Sequence, residues 1–594
     1  MFLKFVKRRH KSIENEAGIA LVMVIALTTV LMLLISAAFV YAIGTQRKSF
    51  GDRNWSGALA AAYAGIEEYQ SRLSEDSTYL RWGNPASPFS LGSSVALPPT
   101  TNKAFGIGTA GTWADVAVPT GTADPNSKAQ FRYEIDNSKY SNTGTLRIRS
   151  TGRVGQETRT IVADLRQQGF VDFLYFTDFE IQDPAFSGKP TTGTGKCDRY
   201  AWAGRPYTNS GNTCGEIGFG NSDVIAGPAH SNDTLRVCDA TFKGQVTTSY
   251  NPTTGIRYNP RDSNGAACSG ATFELAGTPA YSPVLGMPAS NTLLKRETRS
   301  DLTGSDVPRP GCLYTGPTQI TLNSTGTVTV KSPWTKKTRV AGDPATSGTE
   351  PAECGAIASL QSAAGATFTP PANNVLYIQN VPGVASDPNY WSSTQQPNTN
   401  SCKGATTNPV SATPAGNGLG YPLVGEDASA DAYKCRNGDL FVSGTLDGAM
   451  TIGAENYVYV TGNITYKDAN DDILGLIGNN AIFVWNPVNT SGATLIGNTN
   501  RRIDSAILSV AHTFQVQNYS EGGARGILTV NGAIAQKFRG IVRNGSNGYS
   551  KNYVYDSRLR FTAPPKFLSP VTVTYGVNVW IEVKPAFKST GAAN

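Results

Sequence analysis

Apolar residues fill positions 18–44, GIALVMVIALTTVLMLLISAAFVYAIG, and no charged residue interrupts them. At ~1.5 Å per residue the interior of this run reaches roughly 37 Å as a helix, enough to cross a bilayer core of ~30 Å. Lys4, Lys7, Arg8, Arg9 and Lys11 precede it. A basic flank of this kind stays in the cytoplasm, which places the chain after Gly44 outside. A cleavable secretory signal is the competing reading, with Val40-Tyr41-Ala42 as its small-residue cleavage site, although the apolar core of such signals runs only ~7–15 residues. Over 52–76 the pattern changes to a helical period. Trp55, Leu59, Ala62, Ile66, Tyr69 and Leu73 recur at spacings of four and three and line one helical face. Gly83-Asn84-Pro85 is a stop signal. One long helix is therefore expected within 19–80, apolar all round in its first half and amphipathic in its second.

The next pattern has period two. Strands are expected at 113–118, 130–135, 145–151 and 158–165, after a Ser/Pro/Gly/Thr-rich connector over 81–113. Asp124-Pro125-Asn126, Asn142-Thr143-Gly144 and Gly152-Arg153-Val154-Gly155 read as the turns between them. The polarity alternates along 145–149 and 158–162, which fits a sheet wet on one face. Residues 81–168 are thus expected to form a small antiparallel sheet that covers the apolar helix stripe, an α+β arrangement. From 169 to 594 the texture is mainly β. Short apolar runs at 440–442, 457–460, 474–477, 482–485, 506–510 and 527–530 are punctuated by Gly and Asn turns. That steady punctuation points to a parallel β-helix or other β-solenoid. A Greek-key sandwich gives a similar pattern. The Thr/Pro/Asn/Gly-rich stretch 398–420 reads as a loop or linker.

Composition supports this division. Only 16% of the 594 residues are charged, with 62 Gly and 34 Pro, a turn-rich β profile of more than one domain. Of the net charge of +7, the basic leader, residues 1–18, supplies +3 (five Lys/Arg against Glu14 and Glu16), so the remainder of the chain is only mildly basic. No Lys/Arg stripe interleaved with aromatics follows it, so nucleic acid is not an expected partner. The eight cysteines, Cys197, Cys214, Cys238, Cys268, Cys312, Cys354, Cys402 and Cys435, all lie on the expected outer side and suit disulfides in an oxidising compartment. Extracellular loops close locally, which pairs them in sequence order: Cys197–Cys214, Cys238–Cys268, Cys312–Cys354 and Cys402–Cys435. There is no C-x-x-C pair to suggest zinc.

The basic leader, Gly18 and the apolar helix, followed by ALAAAYAGIEEYQSRL at 58–73, resemble the start of a type IV pilin-like protein. The resemblance is to minor pilins of the PilX kind, in particular the large actinobacterial versions. The blocks GPAHSNDTL at 227–235, GAIAQKFRG at 532–540 and NYVYDSRLRFTAPP at 552–565 look like ectodomain blocks of the same proteins. The resemblance implies cleavage by a prepilin peptidase after Gly18, leaving Ile19 as the new N-terminus. It also implies other pilin subunits and the pilus assembly machinery as partners. Major pilins carry a Glu at the fifth mature position, where this chain has Met23.

Signs of chemistry are few. His10, His230 and His512 are the three histidines, and neither H-E-x-x-H nor G-x-S-x-G occurs. Gly193-Thr194-Gly195-Lys196 departs from a phosphate loop, with Pro190 in place of the first Gly and Cys197 after the Lys. His230 stands beside Ser231 and Asp233, a stretch expected to be a tight turn over 228–233 rather than a catalytic trio. His512 is expected as a half-buried structural residue. Asp468-Ala469-Asn470-Asp471-Asp472 begins like a calcium loop but has Ile473 and Asn479 where Gly and Glu belong. Asp439 and Asp447 are paired carboxylates that would suit a glycan-cleaving β-helix. No catalytic residue, cofactor or metal is assigned. Two functions follow: a non-enzymatic surface subunit of a pilus with a tip, priming or adhesive role towards a surface or glycan, or a membrane-anchored extracellular β-helix enzyme or binding protein acting on polysaccharide.

Overall fold

A computed structural model of the chain describes residues 16–594 apart from 100–101, 108–111, 118–127, 141–144, 168, 207–212, 221–222, 263–264, 276, 304–306, 398–415, 430, 498–499 and 571–574. The chain divides into two compact units, Met1–Arg166 with Tyr575–Asn594, and Gln167–Thr574.

In the first unit the apolar run and the amphipathic stretch are one unbroken helix, α1 (Glu16–Glu75, 60 residues), which ends well before Gly83. Its second half packs on β1 (Ala114–Asp115), β2 (Ala129–Asp136), β3 (Thr145–Val154) and β4 (Glu157–Gln167), an antiparallel sheet. The buried helix face is Ala58, Ala61, Ala62, Ile66, Tyr69 and Leu73. Trp55 is exposed and Leu59 only half-buried, so the face turns towards the small alanines. They matter because the sheet comes very close: a Cβ on Gly152 of β3 would lie 2.1 Å from the Ala58 carbonyl oxygen and 2.3 Å from the Ala62 nitrogen. Tyr69, Phe105 and Tyr133 fill the other end of the interface with edge-on contacts of 5.1–6.4 Å between ring centroids. There the Tyr133 hydroxyl donates to Glu68 Oε2 at 2.9 Å and accepts from Asn102 Nδ2 at 2.7 Å.

Two expectations are corrected here. Gly152 lies inside β3, and the hairpin turn is only Gly155-Gln156, with Gly155 at φ +58°. The C-terminal strand Tyr575–Val583 does not belong to the large β region as the 169–594 boundary implied. It lies next to β4 at the edge of the small sheet. The tail beyond it is held by Arg132, whose guanidinium lies 3.9 Å from the Phe587 ring centre and donates to the Gly591 carbonyl at 3.0 Å.

The second unit is mostly β and its long ladders are parallel. Cys312–Thr315, Asn374–Gln379, Ala449–Ala454, Ile473–Gly478, Arg501–Ser509, Ala524–Phe538, Tyr175–Phe179, Ala229–Ser231, Val246–Thr248 and Ala280–Tyr281 pair successively in one parallel row. Equivalent positions stack in register, giving the buried file Cys312, Leu376, Ile452, Leu476, Ile507, Ile534, Tyr175, Ala229 and Val246. Ile320, Val442, Val460, Val484 and Val516 form a second file. β-branched and Leu side chains recur at these inward positions because they fill the space between pleated strands without leaving polar atoms dry. The segment 175–281 stacks beyond Ala524–Phe538, so the row does not follow chain order. On the outer side Phe441, Tyr459 and Phe483 stack at 5.1 and 5.6 Å under a cover that includes Tyr421 and Tyr433.

Disulfides join Cys197 to Cys214, Cys238 to Cys268 and Cys312 to Cys354. By chain entropy each restrains the unfolded chain by ~3–4 kcal/mol. Cys435 is disulfide-bonded, and its expected partner Cys402 lies outside the described residues.

Candidate functional site

The most conspicuous surface is the first half of α1. Ile19, Met23, Leu27, Met32 and Tyr41 are all exposed, Leu27 to 73%, and this helix is long and apolar enough to cross a membrane. Its polar side chains do not break the surface. The Thr28 and Thr29 hydroxyls donate to the carbonyls of Val24 and Ile25, one turn back, at 2.8 and 2.7 Å, and Thr45 donates to Ala42 at 2.9 Å, so each satisfies itself within the helix. A fully exposed Leu or Ile forgoes ~1.5–3 kcal/mol of burial. Nine exposed Leu and Ile residues lie between Ile19 and Ile43, with exposed Val and Met among them, and together they require cover. The Gly18–Ile19 junction lies in the first turn of α1, and residues 1–15 of the leader, His10 among them, lie outside the described residues.

In the second unit the candidate chemical residues are placed as structure. His230 is on the strand Ala229–Ser231, not in a turn, and is fully buried. Its Nδ1 is 2.8 Å from Thr247 Oγ1 and its Nε2 3.0 Å from Asn232 Oδ1. Burial lowers it to about 4, which keeps the ring neutral. His512 Nδ1 lies 2.7 Å from Asp183 Oδ2, half-buried. Gly193-Thr194-Gly195-Lys196 is an exposed loop that leads into no helix. In 468–472 the carboxylates turn inward to backbone: Asp472 accepts from Gly448 N at 2.6 Å and Asp468 N at 2.7 Å, and Asp468 from Asn470 N at 2.8 Å. Among the described residues no group of three or more His, Cys, Asp or Glu is arranged to hold a metal ion.

Asp439 and Asp447 flank opposite ends of the strand Leu440–Leu446. At ~3.3 Å per residue that sets them on the order of 20 Å apart, beyond the ~5–9.5 Å of a glycosidase pair. Asp447 is paired with Lys467 at 2.7 Å. Asp439 is fully buried, where no substrate reaches it. Burial raises its carboxyl to about 7, against hydrogen bonds from Asn456 and the Tyr457 amide. The folded state therefore holds a proton there that the unfolded chain, near ~3.9, releases, and Asp439 weakens the fold progressively as pH rises from about 4 to about 7. Asp439→Asn is expected to raise stability above pH 7 by on the order of 2–4 kcal/mol and to flatten that part of the profile. Melting curves of the variant and the parent from pH 4 to 8 measure it, and their difference isolates Asp439 from Glu426, which burial also raises to about 7.

What the residue patterns did not announce is a buried charge network. Arg205 pairs with Asp233 and, at 2.9 Å, with Glu216, which also pairs with Arg236. Arg539 reaches Glu180 at 3.1 Å, the carbonyls of Ile217 and Gly218 at 2.9 and 3.2 Å, and sits 3.7 Å from the Phe219 ring centre. Asp233 further accepts from the Glu180 and Ala201 amides at 3.0 and 2.7 Å. The blocks at 227–235 and 532–540 supply Asp233 and Arg539, and both reach Glu180, which follows the strand Tyr175–Phe179 that lies between the two blocks.

No family model matches the chain, and no curated protein does. Among solved structures, the crystal structure of the competence-associated pilin ComZ from Thermus thermophilus aligns over 89% of this chain and 97% of its own, at 11% identity and a TM-score of 0.24. That likeness is too slight to define the fold of this chain.

Proposed function

We propose that the chain is a non-enzymatic, pilin-like subunit of the minor, PilX-like kind. The observation that carries this reading is α1 itself: one continuous helix, bare and apolar over its first half and packed into an α+β unit over its second. Such a helix buries its first half in a membrane before assembly and among the helices of other subunits afterwards. A prepilin peptidase releasing Ile19 would prepare it for that transfer. The second unit is proposed to be a β-solenoid, supported by the in-register parallel files, and to lie outside the cell, supported by its disulfides.

Met23 favours a tip or priming position. It has no carboxylate to neutralise a neighbour's new amino terminus, and an ammonium left unpaired in an apolar bundle costs several kcal/mol. A terminal subunit with nothing stacked in that register avoids the cost. Immunogold labelling with antibody to residues 170–594 tests the assignment. Gold at filament ends is expected, regular decoration along shafts overturns the tip position, and label on cells whose filaments never carry it overturns the filament reading.

A further inference from the structure

We infer that the second unit binds carbohydrate in an open cleft beside Trp202. The cleft has a volume of about 340 Å³, and Trp202, Arg205, Glu216, Thr234, Tyr250, Tyr258 and Asn259 are among the residues that line it. That volume lies within the ~300–1,000 Å³ of small-ligand sites.

A column of rings leads to it from the interior. Phe538 stacks on Phe179 at 5.3 Å, Phe179 on Tyr200 at 4.9 Å, and Tyr200 on Trp202 at 4.8 Å, each within about 25° of parallel. Phe538 and Phe179 are buried, and Trp202, the last ring, is 42% exposed. One indole face is covered by Tyr200, and among the described residues no further ring stacks on the other. The platform is fixed. Trp202 Nε1 donates to the Asn232 carbonyl at 2.9 Å, the Tyr200 hydroxyl donates to Asp178 at 2.7 Å, and the buried Cys197–Cys214 bridge closes the loop that carries both rings. An exposed indole held this firmly forfeits burial without gaining freedom, as expected where a ligand covers it.

The polar lining identifies the ligand class. Arg205 is neutralised by Asp233 and Glu216, and Arg236 pairs with Glu216 in turn, so two cations meet two carboxylates and the floor selects neither anion nor cation. What remains for a ligand is neutral: the side chains of Thr234, Tyr250, Tyr258 and Asn259. A sugar matches this pairing of surfaces, with an apolar C–H face for the indole and a rim of hydroxyls for neutral donors and acceptors. Among the described lining residues the one cation, Arg205, is already paired, so a nucleotide's phosphates would find no unpaired cation there. A peptide would stack as well but would bring backbone groups that need a strand edge.

The inference is independent of the filament reading, since the cleft lies wholly in the second unit. The test uses the full chain in detergent with a panel of chitohexaose, cellohexaose, maltohexaose, a mannan oligosaccharide and a proline-rich peptide, followed by tryptophan fluorescence and ligand-observed NMR. At least one oligosaccharide is expected to bind, with affinity falling at least tenfold in Trp202→Ala and at least threefold in Asn259→Ala, while the circular dichroism of both variants and the melting of Asn259→Ala stay at the parent values. Binding that Trp202→Ala and Asn259→Ala leave unchanged overturns the site. A panel in which only the peptide binds, or nothing does at 10-fold excess over millimolar, overturns the ligand class. Should Trp202→Ala fail to fold, Asn259→Ala and Thr234→Val read the same cleft.

Discussion

Gly152→Val is expected to separate α1 from its sheet and unfold the first unit, at a cost of ~3 kcal/mol or more. Even the methyl of alanine falls 2.1 Å from one helix backbone atom and 2.3 Å from another, and backbone cannot swing aside as a flexible side chain would. The helix must move off β3, which uncovers Ile66, Tyr69 and Leu73 together. Hydrogen exchange over β2 to β4 in the detergent-solubilised protein reads the loss directly. Gly51→Ala is the control, because a Cβ there meets nothing within 4 Å. It is expected to be neutral or to stabilise the helix by up to ~1 kcal/mol. Parent-like exchange in Gly152→Val would show that the helix does not press on β3.

The second large effect belongs to Arg539. Its replacement by Met leaves Glu180, 1% exposed at the side chain, as a buried carboxylate without its cation, which costs ~3–5 kcal/mol. Burial already raises the Glu180 carboxyl, and the charge of Arg539, with a hydrogen bond from Ser231, opposes the rise. In Arg539→Met the carboxyl rises further, the folded state takes up a proton, and the loss shrinks as pH falls. Adding Glu180→Gln to Arg539→Met is therefore expected to recover part of the stability at pH 8 and little at pH 5. Chemical denaturation at the two pH values checks both statements. A deficit in Arg539→Met that is the same at pH 5 and pH 8 would place the loss in packing against Phe219 and in the hydrogen bonds to the Ile217 and Gly218 carbonyls, and not in the charge of Glu180.

The helix and the small sheet were legible because their periods are local. Ala62, Ile66, Tyr69 and Leu73 announce a helical face, and the alternation along β3 and β4 announces strands. Gly152 reads as a turn residue in the sequence because a glycine before Arg153-Val154-Gly155 looks the same whether it turns the chain or admits a helix backbone. Its meaning depends on Ala58 and Ala62, some ninety residues earlier. The segment 575–583 falls in the expected 169–594 region because nothing in it marks its partner β4. The same limit hid the pairing of Tyr175 with Ile534 and the union of Arg539 with Glu180, since nothing in either segment names the other. His230 was placed in a turn on the strength of Asn232 and Asp233, whose side chains in fact bind Leu285, Glu180 and Ala201 across the fold.

N-terminal sequencing of the protein purified from its own membranes bears most directly on the role proposed for α1. Ile19 is the expected first residue, with the apolar half of the helix intact behind it. A chain that starts at Ile43 has lost that half and is an ordinary secreted protein, and a chain that keeps Met1 is an unprocessed anchor; either result contradicts a pilin-like subunit.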